Sequence, residues 1–185
     1  MAAAKGMIAL REATPADAPA IGALHVASWR ETYAGLLPDA MLAGLSAEAR
    51  AAMWTHVLGD PAAFGDAAVI VAEADGAIIG FGSCARQRDE ALAASGYGGE
   101  IGALYVLRAH QGRGTGRALI AALAQALLDR GHTGASLWVL RENAPARTFY
   151  EALGGELVGE QSEDQAGATL VELAYGWRDL SRLLP

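Results

Sequence analysis

A single cysteine, Cys84, stands in a chain of 185 residues, which excludes an internal disulfide and suits a reducing compartment. Alone on an apolar stretch, it reads as a small core residue on a strand. Basic residues are also few, 14 against 21 acidic ones. The net charge of −7 argues against general nucleic-acid binding and biases the chain toward cationic substrates. No apolar run approaches the roughly 18 to 20 residues of a membrane span, and the N-terminus lacks a charged segment leading into a long apolar one. A soluble cytoplasmic protein with no membrane partner is expected. There is no internal repeat and no linker composition, so residues 1–185, 52% hydrophobic, are expected to form one domain with 1–6 as a loose leader. The four histidines, His25, His56, His110 and His132, lack metal-ligand spacing, and no metal is expected.

What the chain does have is Glu100-Ile-Gly-Ala-Leu-Tyr-Val106, then Gln111-Gly-Arg-Gly-Thr-Gly116, then an apolar helical run from Arg117 to Arg130. This is a strand feeding a glycine-rich turn that opens a helix. Unpaired N–H groups at such a start, with roughly half a positive charge from the macrodipole, suit a phosphate or pyrophosphate. A dinucleotide fingerprint fails, because the third glycine would fall on Arg117 or Leu119. A nucleotide P-loop fails for want of Gly-Lys followed by Ser or Thr.

A coarse order of elements follows. Met7–Arg11 is a strand candidate. Thr14-Pro15-Ala16-Asp17 starts a helix running to about Thr32, since Thr caps, Pro suits the first position and Asp the positive end. Leu36-Leu-Pro38 breaks it, and a second helical stretch covers about Pro38 to Leu58. Val69–Glu73 and Ala77–Ala85 are strands around the hairpin signal Ala74-Asp75-Gly76. Arg86–Gly98 is a polar loop. Ser136–Leu140 is a strand, Asn143–Gly155 a short helix closed by glycine, and strands near Glu156–Gln161 and Thr169–Tyr175 finish the chain.

The Q-x-x-G-x-G turn resembles the acyl-CoA loop of the GNAT superfamily of N-acyltransferases. After Ser136–Leu140, Asn143 with Tyr150 seven residues on and then Leu153-Gly154 resembles that family's second signature, in the expected order and distance. The order β-α-α-β-β-β-α-β-α-β-β is similar to the family arrangement over nearly the whole chain. The resemblance implies an α/β (α+β) fold, a mixed sheet of about seven strands flanked by about four helices. It implies an acetyl-CoA dependent N-acetyltransferase. The segment from His25 to Pro38 is similar to a subset of bacterial members whose acceptors are undefined.

By the same resemblance, main-chain groups of Leu104, Tyr105 and Val106 pair with pantetheine, and the oxyanion meets a backbone N–H near Leu104 or Tyr105, where the family's strand bulges. Gln111, Gly112, Arg113, Gly114, Thr115, Gly116 and Arg117 cradle the pyrophosphate, and Asn143 binds the pantetheine arm or caps its helix with Pro145 inside. The amine nucleophile must lose a proton, and Glu100 stands where the family often carries its base. At about 3.3 Å per residue it lies roughly 13 Å along the strand from Leu104, which points to a water relay. His25 or a loop carboxylate are the alternatives. Tyr150 matches the residue that protonates the departing sulfur, its plainer reading being a core aromatic, with Phe149 beside it as core. Trp29 and Tyr33 border the acceptor pocket or pack in the core. Three activities remain in view: acetylation of a small-molecule amine, acetylation of a protein or peptide, and acyl-CoA binding without turnover. Family members are frequently homodimers, and the final strands with Trp177 are the candidate surface.

Overall fold

The computed structural model describes residues 8–165 and 168–185; the expected leader, and Met7 of the first strand candidate, lie outside them. In chain order the elements are β1 (Ala9–Glu12), α1 (Ala18–Tyr33), α2 (Asp39–Ala43), α3 (Ala47–Gly59), β2 (Ala68–Ala74), β3 (Ala77–Arg86), α4 (Glu90–Ala94), β4 (Gly99–Val106), α5 (Thr115–Asp129), β5 (Ala135–Leu140), α6 (Ala144–Ala152), β6 (Glu156–Gln165) and β7 (Ala168–Trp177).

The strands form one mixed sheet in the order β1-β2-β3-β4-β5-β7-β6, antiparallel except for the β4–β5 pair. Along β2, Val69 and Val71 pack toward α1 and α3, where Ile21, Leu24 and Trp54 meet them. Ile70 and Ala72 point the other way, into a cluster with Leu119, Ile120, Leu123 and Leu127 of α5. Helices on both faces explain why β2 reads as an unbroken apolar run. Each fully buried Leu or Ile of α5 contributes about 1.5–3 kcal/mol of transfer free energy. Gly22 lets α1 and α3 touch, since a Cβ there would meet the backbone N of Ala51 at 2.5 Å.

Local signals act as their chemistry predicts. Asp17 accepts from the Thr14 backbone N at 2.7 Å, closing a capping box around a one-turn 3₁₀ start at Pro15–Asp17 before α1. At the β2–β3 hairpin, Asp75 and Gly76 have φ of 52° and 77°, the two positive values of a type I′ turn. Three expectations need correction. The second helical stretch is divided, because Gly44 ends α2 and Ser46 caps α3 by accepting from Ala49 N at 3.1 Å. The Arg86–Gly98 loop contains α4, capped by Asp89, which accepts from the backbone N of Ala91 and Leu92. Trp177 is no surface residue: it is buried, and its Nε1 donates to the Leu153 carbonyl at 3.0 Å. The exposed apolar residue of the last strands is Leu157 on the edge strand β6. Among the described residues no helix is long and apolar enough to cross a membrane.

Candidate active site

The site begins where two strands part. β4 and β5 are in register at Gly99–Ala135 and Glu100–Ser136 and at no later pair, so from Ile101 onward β4 has β3 on one side and no strand on the other. The register with β3 also slips: Ser83 pairs with Ala103 and Cys84 with Ile101, which leaves Gly102 as the extra residue of a bulge. The bulge therefore sits before Ala103 rather than at Leu104 or Tyr105. A glycine within the strand pattern is its sequence signal.

A cavity of about 590 Å³ opens in the gap. Leu104, Tyr105 and Val106 line it from β4, with Leu137, Trp138 and Val139 opposite on β5. At one end lies the glycine turn. Gly112 and Gly114 adopt φ of 69° and 84°, the left-handed region that a side chain would strain. Among the described residues, no backbone N–H from Gly112 to Arg117 donates to a backbone acceptor, and α5 has no side-chain cap. Six donors at a positive helix end are left for an anion. Gly112, Gly114, Gly116, Arg117 and Gln111 line the cavity, whereas Arg113 and Thr115 do not. Thr115 is buried, with its hydroxyl donating to the His110 carbonyl at 3.5 Å, and Gln111 turns its Nε2 back onto the Val106 carbonyl at 2.9 Å.

Beyond the turn, α6 supplies Tyr150, 8% exposed, whose ring lies among Phe149, Tyr175 and Trp177. Its hydroxyl has no protein hydrogen-bond partner among the described residues. Burial, then the neighbouring Tyr105, raises its pKa above the ordinary phenol value, so it holds its proton through neutral pH. Asn143 lines the same cavity and also caps α6, accepting from Ala146 N at 3.3 Å. Tyr33 is here as well, its pKa raised by burial, with Asn143 beside its hydroxyl. One residue that no motif flagged stands out. Ser28 on α1 is 2% exposed and lines the cavity, and its Oγ is the one fully buried side-chain polar atom among the described residues with no partner.

A second cavity, of about 700 Å³, holds Glu100 and Trp29. The pair expected to border the acceptor is thus divided, with Trp29 on this cavity and Tyr33 on the other. Glu100 is 6% exposed, and Arg88 takes both carboxylate oxygens, Nη2 to Oε1 at 2.6 Å and Nε to Oε2 at 3.0 Å. His25 stacks on Tyr105 with centroids 5.0 Å apart, and its Nδ1 accepts from Trp54 Nε1 at 3.2 Å. That bond assigns the ring hydrogen to Nε2. Burial first, and then Arg50, lower the His25 pKa to about 4, so the ring is neutral at pH 7. Trp29 Nε1 donates to the Tyr105 hydroxyl at 2.9 Å. Cys84 is buried, and burial raises its thiol to about 11, in keeping with a core role. Gly102, Ala103 and Tyr105 line both cavities, which therefore meet across the bulged strand.

Parted parallel strands beside an anion-ready helix start, backed by a second cavity on the same strand, define a two-sided site for an anionic ligand and a second molecule. The chain belongs to the Acetyltransferase (GNAT) family, which residues 26–155 match, and it is an N-acetyltransferase. It is 36% identical over 180 residues, 96% of each chain, to the uncharacterized N-acetyltransferase YuaI of Bacillus subtilis. Two solved structures share the fold. The PaiA N-acetyltransferase of Thermoplasma acidophilum, in complex with coenzyme A, superposes with a TM-score of 0.71 at 20% identity, covering 90% of this chain and 98% of that one. YncA of Salmonella typhimurium, solved with its cofactor acetyl-CoA, superposes with a TM-score of 0.68 at 21% identity, covering 94% of each.

Proposed function

We propose that this protein transfers an acetyl group from acetyl-CoA to the primary amine of a small molecule, by direct attack in a ternary complex. The observation that carries the reading is the pair of cavities sharing Gly102, Ala103 and Tyr105 of β4. A donor in one and an acceptor in the other would meet at a single strand without a covalent enzyme intermediate. Three features fit acetyl-CoA: the free N–H groups of Gly112, Gly114, Gly116 and Arg117, which line the cavity, for its pyrophosphate, a strand edge without a neighbour for its pantetheine, and a buried hydroxyl, Ser28 Oγ, in need of a partner. When bound, acetyl-CoA supplies an acyl group activated as a thioester.

The residues divide the remaining work. Gly112, Gly114, Gly116 and Arg117 hold phosphate charge, and Leu104 and Val106 face the open side of β4 with main-chain groups for the arm. Those of Tyr105 face Phe81 of β3, because Leu107 N bonds the Ile79 carbonyl and the pattern alternates. The Val106 carbonyl also accepts from Gln111 Nε2. Arg113 adds charge from outside the cavity. Tyr150 keeps a proton at its unpartnered hydroxyl, in the donor cavity, for the departing sulfur. Glu100 is the one carboxylate lining the second cavity, which supports it as the proton acceptor on the amine side through water. His25 is the weaker alternative because its Nδ1 lone pair is engaged by Trp54.

Thermal denaturation with acetyl-CoA, CoA, NAD and ATP tests the donor, since a ligand of the folded state raises its stability, by about 2.7 kcal/mol at a hundred times Kd. Stabilisation by acetyl-CoA and CoA alone, with amine-dependent thiol release, is expected. Absence of any CoA effect would overturn the reading; thiol release only with proteins or peptides would replace the acceptor.

A further inference from the structure

The chain as a whole is acidic, with a net charge of −7, yet the wall of the second cavity is not. Arg50 from α3, with Arg86 and Arg88 from the end of β3 and the turn after it, line it against a single carboxylate, Glu100, whose two oxygens are already taken by Arg88. Arg50 and Arg86 have no carboxylate within ion-pair distance among the described residues. Arg50 is half-buried and lies over the Trp29 ring, its guanidinium carbon 5.5 Å from the ring centroid. Among the described residues its guanidinium makes one polar contact, a weak one to the Met53 sulfur at 3.9 Å.

Two guanidinium groups with no carboxylate partner among the described residues, beside a concave wall, have a specific chemical use. Each presents a planar fork that matches a carboxylate or phosphonate with two parallel hydrogen bonds. A cation-only amine would meet like charge here. Trp29, Trp54 and Phe64 give the same cavity an aromatic wall, Phe64 being 44% exposed. The volume, about 700 Å³, lies within the range of small-molecule sites, roughly 300–1,000 Å³.

We infer that the acceptor is an organic amine that also bears an anionic group, a carboxylate or phosphonate, which Arg50 and Arg86 bind while the aromatic wall packs the body and the amine reaches β4 at Gly102. This inference rests on the proposed acceptor role of the second cavity. It reverses the substrate bias read from overall charge, because the local balance at the wall and not the sum over the surface meets the ligand.

The test uses amines that differ by one acid group, L-phenylalanine against 2-phenylethylamine and L-leucine against 3-methylbutylamine, with thiol release measured at saturating acetyl-CoA. The acids should show a kcat/KM higher by about tenfold or more, the worth of one charge-assisted hydrogen bond, through KM and not kcat. In Arg50→Gln and Arg86→Gln the acid-to-neutral ratio should fall by about the same factor. A second arm needs no turnover: phenylacetate should stabilise the CoA-bound protein against heat where phenylacetamide does not, and each arginine substitution should weaken the effect. Equal or better turnover of the neutral amines would overturn the inference while leaving N-acetylation of small amines intact. No turnover of any amine, with phenylacetate still selected over phenylacetamide, would uphold anion capture and overturn the small-amine reading. Indifference to the acid group in both arms overturns the inference.

Discussion

The two cavities that flank β4 are built in different ways. The one proposed for the donor is made of backbone: parted strands, a bulge at Gly102 and a turn whose glycines hold positive φ and whose N–H groups have no backbone acceptor. The one proposed for the acceptor is made of side chains from α1, α3, β3, β4 and the segment around Phe64. A cofactor common to many reactions can be held by main-chain groups whose presence does not depend on residue identity. Acceptor choice depends on identity and can change while the fold stays. The donor half should therefore respond to substitutions through kcat or cofactor affinity, and the acceptor half through KM and through pH.

The largest effect that would sharpen this contrast is expected at Tyr150. Tyr150→Phe should lower kcat by about 10²- to 10⁴-fold, the usual range for a general acid, with acetyl-CoA affinity retained. Melting temperature should change little, because the hydroxyl has no protein partner to lose; unchanged kcat in steady-state assays would return Tyr150 to a core role. On the acceptor side, His25 sets a pH dependence of stability. Its folded pKa, about 4, lies below the unfolded value near 6.5, so only the unfolded chain takes up a proton between them. Stability is fully present above about pH 6.5 and falls by about 3 kcal/mol as pH drops toward 4. Denaturant midpoints from pH 7 to 4 should show this loss, and His25→Gln should flatten it; an unaltered slope would contradict the assignment. Glu100→Gln should cost about a hundredfold in kcat, the low end for a general base. It should cost only about 1 kcal/mol of stability, because Arg88 is largely exposed and the pair is screened on that side. A stability loss without a rate loss would make Glu100 structural. The smallest effect is expected at Ser28, where Ser28→Ala removes a buried hydroxyl without a partner. The free protein should stay within about 1 kcal/mol of wild type, while stabilisation by acetyl-CoA should shrink.

The same difference of construction decides what could be read in advance. The glycine turn and the Asn143–Tyr150 helix are contiguous, so their spacing survives in one dimension, and the structure brings Tyr150, Asn143, Leu104 and the loop glycines to one cavity. Arg113 and Thr115 lie in the same motif yet turn away from it, since a motif fixes backbone conformation before side-chain direction. The hairpin at Asp75-Gly76 and the capping box at Thr14 were legible because each is a local bond. α4 was obscured by the polar residues around it, although Asp89 is an ordinary N-cap. Arg50 and Arg86, 36 positions apart, are indistinguishable in sequence from solvated surface charge. Nothing local marks Ser28 as unpartnered, because that is a property of what the fold places against it.

Calorimetric titration of acetyl-CoA into the wild type, Gly114→Asp and Arg50→Gln tests the division between the two halves most directly. At Gly114, φ of 84° and the anion-facing N–H groups make an acidic side chain costly, and affinity should fall by about a hundredfold. Arg50→Gln, across β4, should bind acetyl-CoA as the wild type does. Equal affinity in Gly114→Asp, or a matching loss in Arg50→Gln, would contradict the account.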